Sequence, residues 1–124
     1  MTKNSPLQAM PVNQEALARE IEFAILGVLV HYNGSYEDSL VEWYSALRLG
    51  LPQLTDTRQL LDVFKSLSGL GIIALNRHKS GSHAGHGPDD DRFFAWGPFM
   101  TTLTPAGLVH WNTVRVQPRQ ASAF

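Results

Sequence analysis

The sequence predicts an α+β domain made of three helices, a two-stranded hairpin and a closing helix. Three observations carry that expectation. Leu60, Leu61, Phe64, Leu67 and Leu70 recur at the spacing of one face of an α-helix. Directly after them, punctuated by Gly69 and Gly71, comes the β-prone run Ile72-Ile73-Ala74-Leu75, and past a polar loop a second, aromatic run, Phe93-Phe94-Ala95-Trp96. The stretch from Leu103 to Leu108 then carries agreeing helix-start signals: Thr104 as cap, Pro105 at the first helical position, and Leu103 with Leu108 as a hydrophobic staple.

Taken in order, residues 1–12 are polar and contain Pro6 and Pro11, which predicts a flexible arm. Asn13 reads as the cap of a first helix, from about Gln14 to His31, with Val12 and Leu17 as its staple. Leu17, Ile21, Ala24, Ile25, Val28, Leu29 and Tyr32 share one face of it. Asn33-Gly34 breaks that helix. Ser35 and Asp38 have the spacing of a capping box, so a second helix is expected from there to about Arg48, burying Leu40, Trp43, Tyr44 and Leu47. Gly50 and Pro52 make the turn into the third helix, which Thr55 is expected to cap. Lys79 to Asp91 forms the loop of the hairpin, Gly97-Pro98 ends its second strand, and the fourth helix runs through Trp111 to about Val114. Residues 13–116 thus form one domain, and 117–124, with Pro118, a flexible tail.

A chain of 124 residues, 44% hydrophobic, has enough apolar material for one ordinary core. Its formal net charge of −1 excludes a globally basic, nucleic-acid-coating protein and leaves room for a local basic face. There are no cysteines, so disulfides, thiol nucleophiles and cysteine-based zinc sites are absent, which suits a reducing compartment. No apolar run reaches the roughly 18 residues that span a membrane, and Met1 to Pro6 lacks the apolar core of a secretory signal. A cytoplasmic protein is the expectation.

Charge is unevenly distributed. Between Asn13 and Gln53 two basic residues face six acidic ones, a local sum of −4; between Leu54 and Ser80 four basic residues face two acidic ones, a sum of +2. The cations therefore gather on the third helix and the root of the hairpin. On the helix, Thr57, Arg58, Gln59, Asp62 and Lys65 fall off the apolar stripe; at the hairpin root stand Arg77, His78 and Lys79, with Arg92 on the returning side.

Several stretches resemble bacterial regulators of the PadR and MarR type. Ile25-Leu26-Gly27-Val28-Leu29 is similar to the first-helix core of the PadR kind. Leu60 to Ile73 resembles the recognition-helix ending LxxLxxxGLI, and Leu103-Thr104-Pro105-Ala106-Gly107 the LTPAG that follows the wing. The resemblance spans about Asn13 to Thr113 and implies a winged helix-turn-helix fold: a three-helix core, a two-stranded wing and a closing helix. It further implies a transcriptional regulator that binds double-stranded DNA and forms a homodimer through the first and fourth helices. Under that reading the DNA-binding residues are Thr57, Arg58, Gln59, Lys65, Arg77, His78, Lys79 and Arg92. Arg58 and Gln59 are types able to read base edges, with Arg58 expected to make the direct base contact, and Lys65 and Lys79 are expected to hold phosphates.

The sequence also holds the material for other readings. Asp89-Asp90-Asp91 repels phosphate, and the turn between the second and third helices is longer than the usual three or four residues. Both favour the alternative of a winged-helix protein-contact module. His83 and His86, near His78 and the aspartates, have ligand chemistry suited to zinc or nickel, as a metal-responsive sensor would need. The Gly-, Ser- and Pro-rich setting instead reads as an unfolded loop, and neither a metal nor another cofactor is expected. No nucleophile elbow or phosphate loop is present, and His31 and His110 read as helix-end and packing residues, so no enzyme is expected. Phe99, Met100 and Trp111 stand out as candidates for a partner surface.

Overall fold

A computed structural model describes residues 5–77, 87–95 and 97–123, with side chains described over 15–77, 87–95 and 97–115. The chain runs α1 (Ser5–His31), β1 (Ser35–Asp38), α2 (Leu40–Leu47), α3 (Thr57–Gly69), β2 (Ile73–Asn76), α4 (Arg92–Ala95), β3 (Phe99–Leu103) and α5 (Pro105–Ala123). The architecture is α+β, with a three-stranded antiparallel sheet in the order β1-β3-β2. Tyr36 pairs with Thr101 on one side of β3, and Leu75 pairs with the same residue on the other.

The termini of the helices explain how the elements join. At the end of α1, Asn33 takes a left-handed backbone with φ of 63°. Its N–H donates to the Val30 carbonyl and that of Gly34 to Leu29, a Schellman pair that turns the chain into β1. The end of α3 repeats the device: Gly71 has φ of 77°, its N–H donates to Ser68 and that of Ile72 to Leu67. The chain therefore leaves α3 already aimed along β2. At the start of α3, the Asp56 side chain accepts from the first turn while Gln59 reaches back to the cap N–H, a complete capping box.

Several expectations are corrected by these elements. Ser35 to Asp38 is strand rather than the first turn of the second helix; the cap in use is Ser39, whose Oγ accepts from the Glu42 N–H at 3.2 Å. The sequence repeats the capping spacing four residues later, and pairing with β3 removes the first copy from competition. The hairpin is accordingly part of a three-stranded sheet, not a two-stranded ribbon. Phe93 and Phe94 lie in the single helical turn of α4, and the returning strand is Phe99–Leu103. Asp56, not Thr55, caps α3. The helical backbone also runs further at both ends than the start signal at Asn13 and the expected stop near Val114 imply.

One core joins the elements. α1 contributes Leu17, Ile21, Ile25, Leu26 and Leu29, and α3 contributes Leu60, Leu61, Val63, Phe64 and Leu67. Phe64 lies at the centre. Trp43 of α2 meets its ring edge-on at 5.2 Å and Phe99 of β3 at 5.4 Å, with Phe94 at 6.2 Å. Edge-to-face packing of this kind adds to the area that the rings bury. Phe99 is fully buried, so it belongs to the core and not to a partner surface.

α5 is fixed at its first turn. The Thr104 hydroxyl accepts from the Gly107 N–H at 2.9 Å and donates toward the carbonyls of Gly71 and Ile72. Thr104 thus caps α5 as expected and ties it to the β2 entrance. Further along, Trp111 lies against Phe23 of α1 at 5.0 Å between ring centres, and over Gly27. Among the described residues no helix is long and apolar enough to cross a membrane.

Candidate functional site

Arg58, Asp62 and Lys65 fall at i, i+4 and i+7 on the solvent stripe of α3, opposite the buried leucines. The charged side chains on that stripe, though exposed, are paired with one another or with Asp91. Arg58 Nε lies 3.4 Å from Asp62 Oδ1, and its Nη1 donates to Asp91 Oδ2 at 2.9 Å. Lys65 Nζ donates to the other oxygen of the same carboxylate, Asp91 Oδ1, at 2.8 Å. One carboxylate therefore bridges two cations that stand two helical turns apart.

The adjoining turn of α4 positions Asp91. Its carbonyl accepts from the Phe94 N–H, and Phe93 and Phe94 are buried, so α4 is anchored in the core with Asp91 at its entrance. The hydrogen bond from Lys65, then that from Arg58, holds the Asp91 carboxyl below the ordinary aspartate range. The side chains remain largely exposed, at 60% for Arg58 and 46% for Asp91. Such pairs are screened by salt and are held loosely.

The other sequence candidates take several positions. Thr57 opens α3 beside Arg58. Gln59 is engaged in capping: its Oε1 accepts from the N–H groups of Thr55 at 2.9 Å and Asp56 at 3.1 Å, so reading a base with it would uncap the helix. Arg77 lies over the Phe93 ring at 4.8 Å and donates to the Pro98 carbonyl at 3.3 Å. Its partial burial lowers the guanidinium pKa without threatening its charge. Arg92 is chelated by Asp90, with Nη2 to Oδ2 at 2.9 Å, and this pairing raises its pKa. His78 and Lys79 lie outside the described residues, as do His83, His86 and the expectation of a mobile loop tip. Among the described residues there is no group of three or more potential metal ligands.

Asp91 is the residue that composition undervalues. Its signal in the sequence is the acidic run, which reads as a source of repulsion; the structure gives the last member of that run a partner role. A second feature invisible in the sequence is an open groove of about 710 Å³ between α1 and α3. Leu17, Ile21, Val63 and Leu67 form its floor, and Glu15, Glu22, Asp56 and Asp62 with Arg58 its rim. His110 of α5 reaches Glu22 at this rim through a direct Nε2 to Oε2 contact. Comparison of the chain with protein-family models, with curated proteins and with solved structures finds no match in any of the three.

Proposed function

We propose that this chain is a winged helix-turn-helix protein that binds double-stranded DNA as a homodimer and regulates transcription in the cytoplasm. The observation supporting this most directly is the order of the elements. A strand between the first two helices joins the sheet edge, α3 runs directly into β2, and the sheet order is β1-β3-β2. Of this, the passage from α3 into β2, the return by β3 and the closing α5 agree with the motif resemblance, while β1, as a third strand, is an addition to it. On this reading α3 is the reading helix and the β2–β3 connection the wing. In helix-turn-helix docking the first turn of the reading helix enters the major groove. Arg58 stands there, and Lys65 lies on the same stripe, within reach of a phosphate.

Dimerisation is assigned to α1 and α5. Phe23 and Val30 on α1, and Leu108 and Val109 on α5, remain exposed although the two helices pack together through Trp111. Two copies joined there would present two reading helices about one DNA turn, ~34 Å, apart.

Fluorescence anisotropy against a genomic fragment library at two salt concentrations tests the reading. Specific binding is expected, with Arg58→Ala costing ~1–3 kcal/mol and relaxing preference at one base position. Lys65→Ala is expected to weaken all fragments alike and to reduce the salt slope by about one unit. A wild type without preference among fragments, or an Arg58→Ala variant that retains the preference, refutes the assignment. A monomer by light scattering at tens of micromolar refutes the dimer. The second reading, a protein-contact module, is favoured by the carboxylate partners of Arg58, Lys65 and Arg92 and by the acid-rimmed groove. Absence of any salt-dependent duplex binding would select it.

A further inference from the structure

The bridge between Arg58 and Lys65 has a geometry that a simple surface salt bridge does not need. The two cations come from one helix and the carboxylate from a segment 33 and 26 residues further along the chain. Each cation holds a separate oxygen of one anionic group. A carboxylate and a phosphate present equivalent paired oxygens to such donors, and both are recognised by guanidinium and ammonium groups. The segment is also held in place: Phe93 and Phe94 are buried immediately behind Asp91.

From this we propose that Asp91 is an internal stand-in for a DNA backbone phosphate, occupying the Arg58–Lys65 pair in the free protein and surrendering it on binding. The proposal rests on the DNA reading and adds to it a built-in competitor. Duplex phosphate takes Arg58 and Lys65 only by displacing the carboxylate, so weak, non-specific encounters leave the bridge closed. Displacement needs side-chain rotation alone, because the backbone of α4 is anchored while the three charged groups are exposed to between 32% and 60%. The neighbouring charges are already assigned: Asp62 faces Arg58 from its own helix, and Asp90 holds Arg92. Asp91 therefore limits how tightly the wild type holds those phosphates.

The test compares wild type, Asp91→Asn and Asp89→Asn for binding to a fluorescein-labelled duplex of about 20 base pairs across a salt series. Asp89 is exposed and two residues away, so its variant removes the same charge without opening the bridge. Asp91→Asn is expected to bind roughly ten-fold more tightly at low salt, with a salt slope close to that of the wild type, because the same cations meet phosphate in both complexes and only the competing carboxylate is removed. Asp89→Asn is expected to fall well short of that gain, and Lys65→Ala placed on Asp91→Asn to remove much of it. Equal tightening by both asparagine variants overturns the proposal in favour of a bulk charge effect. Binding by all three with one affinity overturns it while leaving the DNA reading intact. Absence of binding in every variant overturns both. Asp91→Ser, measured alongside, guards against a fold defect specific to asparagine, and circular dichroism melts confirm that each variant is folded.

Discussion

Replacing Gly107 by alanine is expected to destabilise the protein, against the ordinary preference of helices. Gly107 lies in the first turn of α5, where alanine is normally favoured over glycine by about 1 kcal/mol. A Cβ built there, however, falls 2.8 Å from Leu103 Cδ1 and 3.0 Å from the Ile72 carbonyl carbon, and closer still to the carbonyl oxygen. Backbone cannot rotate away as a flexible side-chain end can. The first turn must lift, and the same Ile72 oxygen accepts from the Thr104 N–H at 3.2 Å and the Thr104 hydroxyl at 2.9 Å. Overpacking costs typically ~1–3 kcal/mol, and weakening two hydrogen bonds ~0.5–1.5 kcal/mol each. Set against the propensity gain, a net loss of roughly 1–5 kcal/mol is expected from these ranges. Urea unfolding followed by circular dichroism measures it as a lower midpoint at unchanged slope. Gly69→Ala supplies the contrast. It also lies in a helix, but nothing is within 4 Å of its Cβ, so it is expected to stabilise by about 0.4–1 kcal/mol. If Gly107→Ala is neutral or stabilising, the close-approach argument is wrong.

Two other perturbations probe the core and the charged stripe. Thr101 is fully buried in the central strand and its hydroxyl has no hydrogen-bond partner among the described residues, so Thr101→Val should stabilise by about 1 kcal/mol and raise Tm by a few degrees; a lower Tm contradicts this. The depressed Asp91 carboxyl stabilises the fold above the ordinary aspartate pKa, and that contribution is lost as pH falls through its lower folded value. An NMR titration should therefore place the Asp91 midpoint below that of a free aspartate, and Lys65→Ala should move it upward; a midpoint indifferent to Lys65 counts against the bridge.

Local signals are legible where they stand alone. The leucine stripe of α3, the Asn33-Gly34 and Gly69-Gly71 exits, and the Thr104-Pro105 start each act within one or two turns of chain, so the residues themselves determine them. The α+β class comes from their order. Where two local solutions compete, tertiary pairing chooses. Ser35 and Ser39 both begin a capping pattern, and only hydrogen bonding of Ser35–Asp38 to a strand more than 60 residues later in the chain makes the first a strand. Phe93 and Phe94 read as strand by composition, yet burial against Phe64 and Phe99 is satisfied by a single helical turn. The candidate site shows the same division. Its cations can be named from their position off the apolar stripe, because helical periodicity is local. That Asp91 lies between Arg58 and Lys65 is decided by the packing of α4, a long-range event to which no spacing in the chain corresponds.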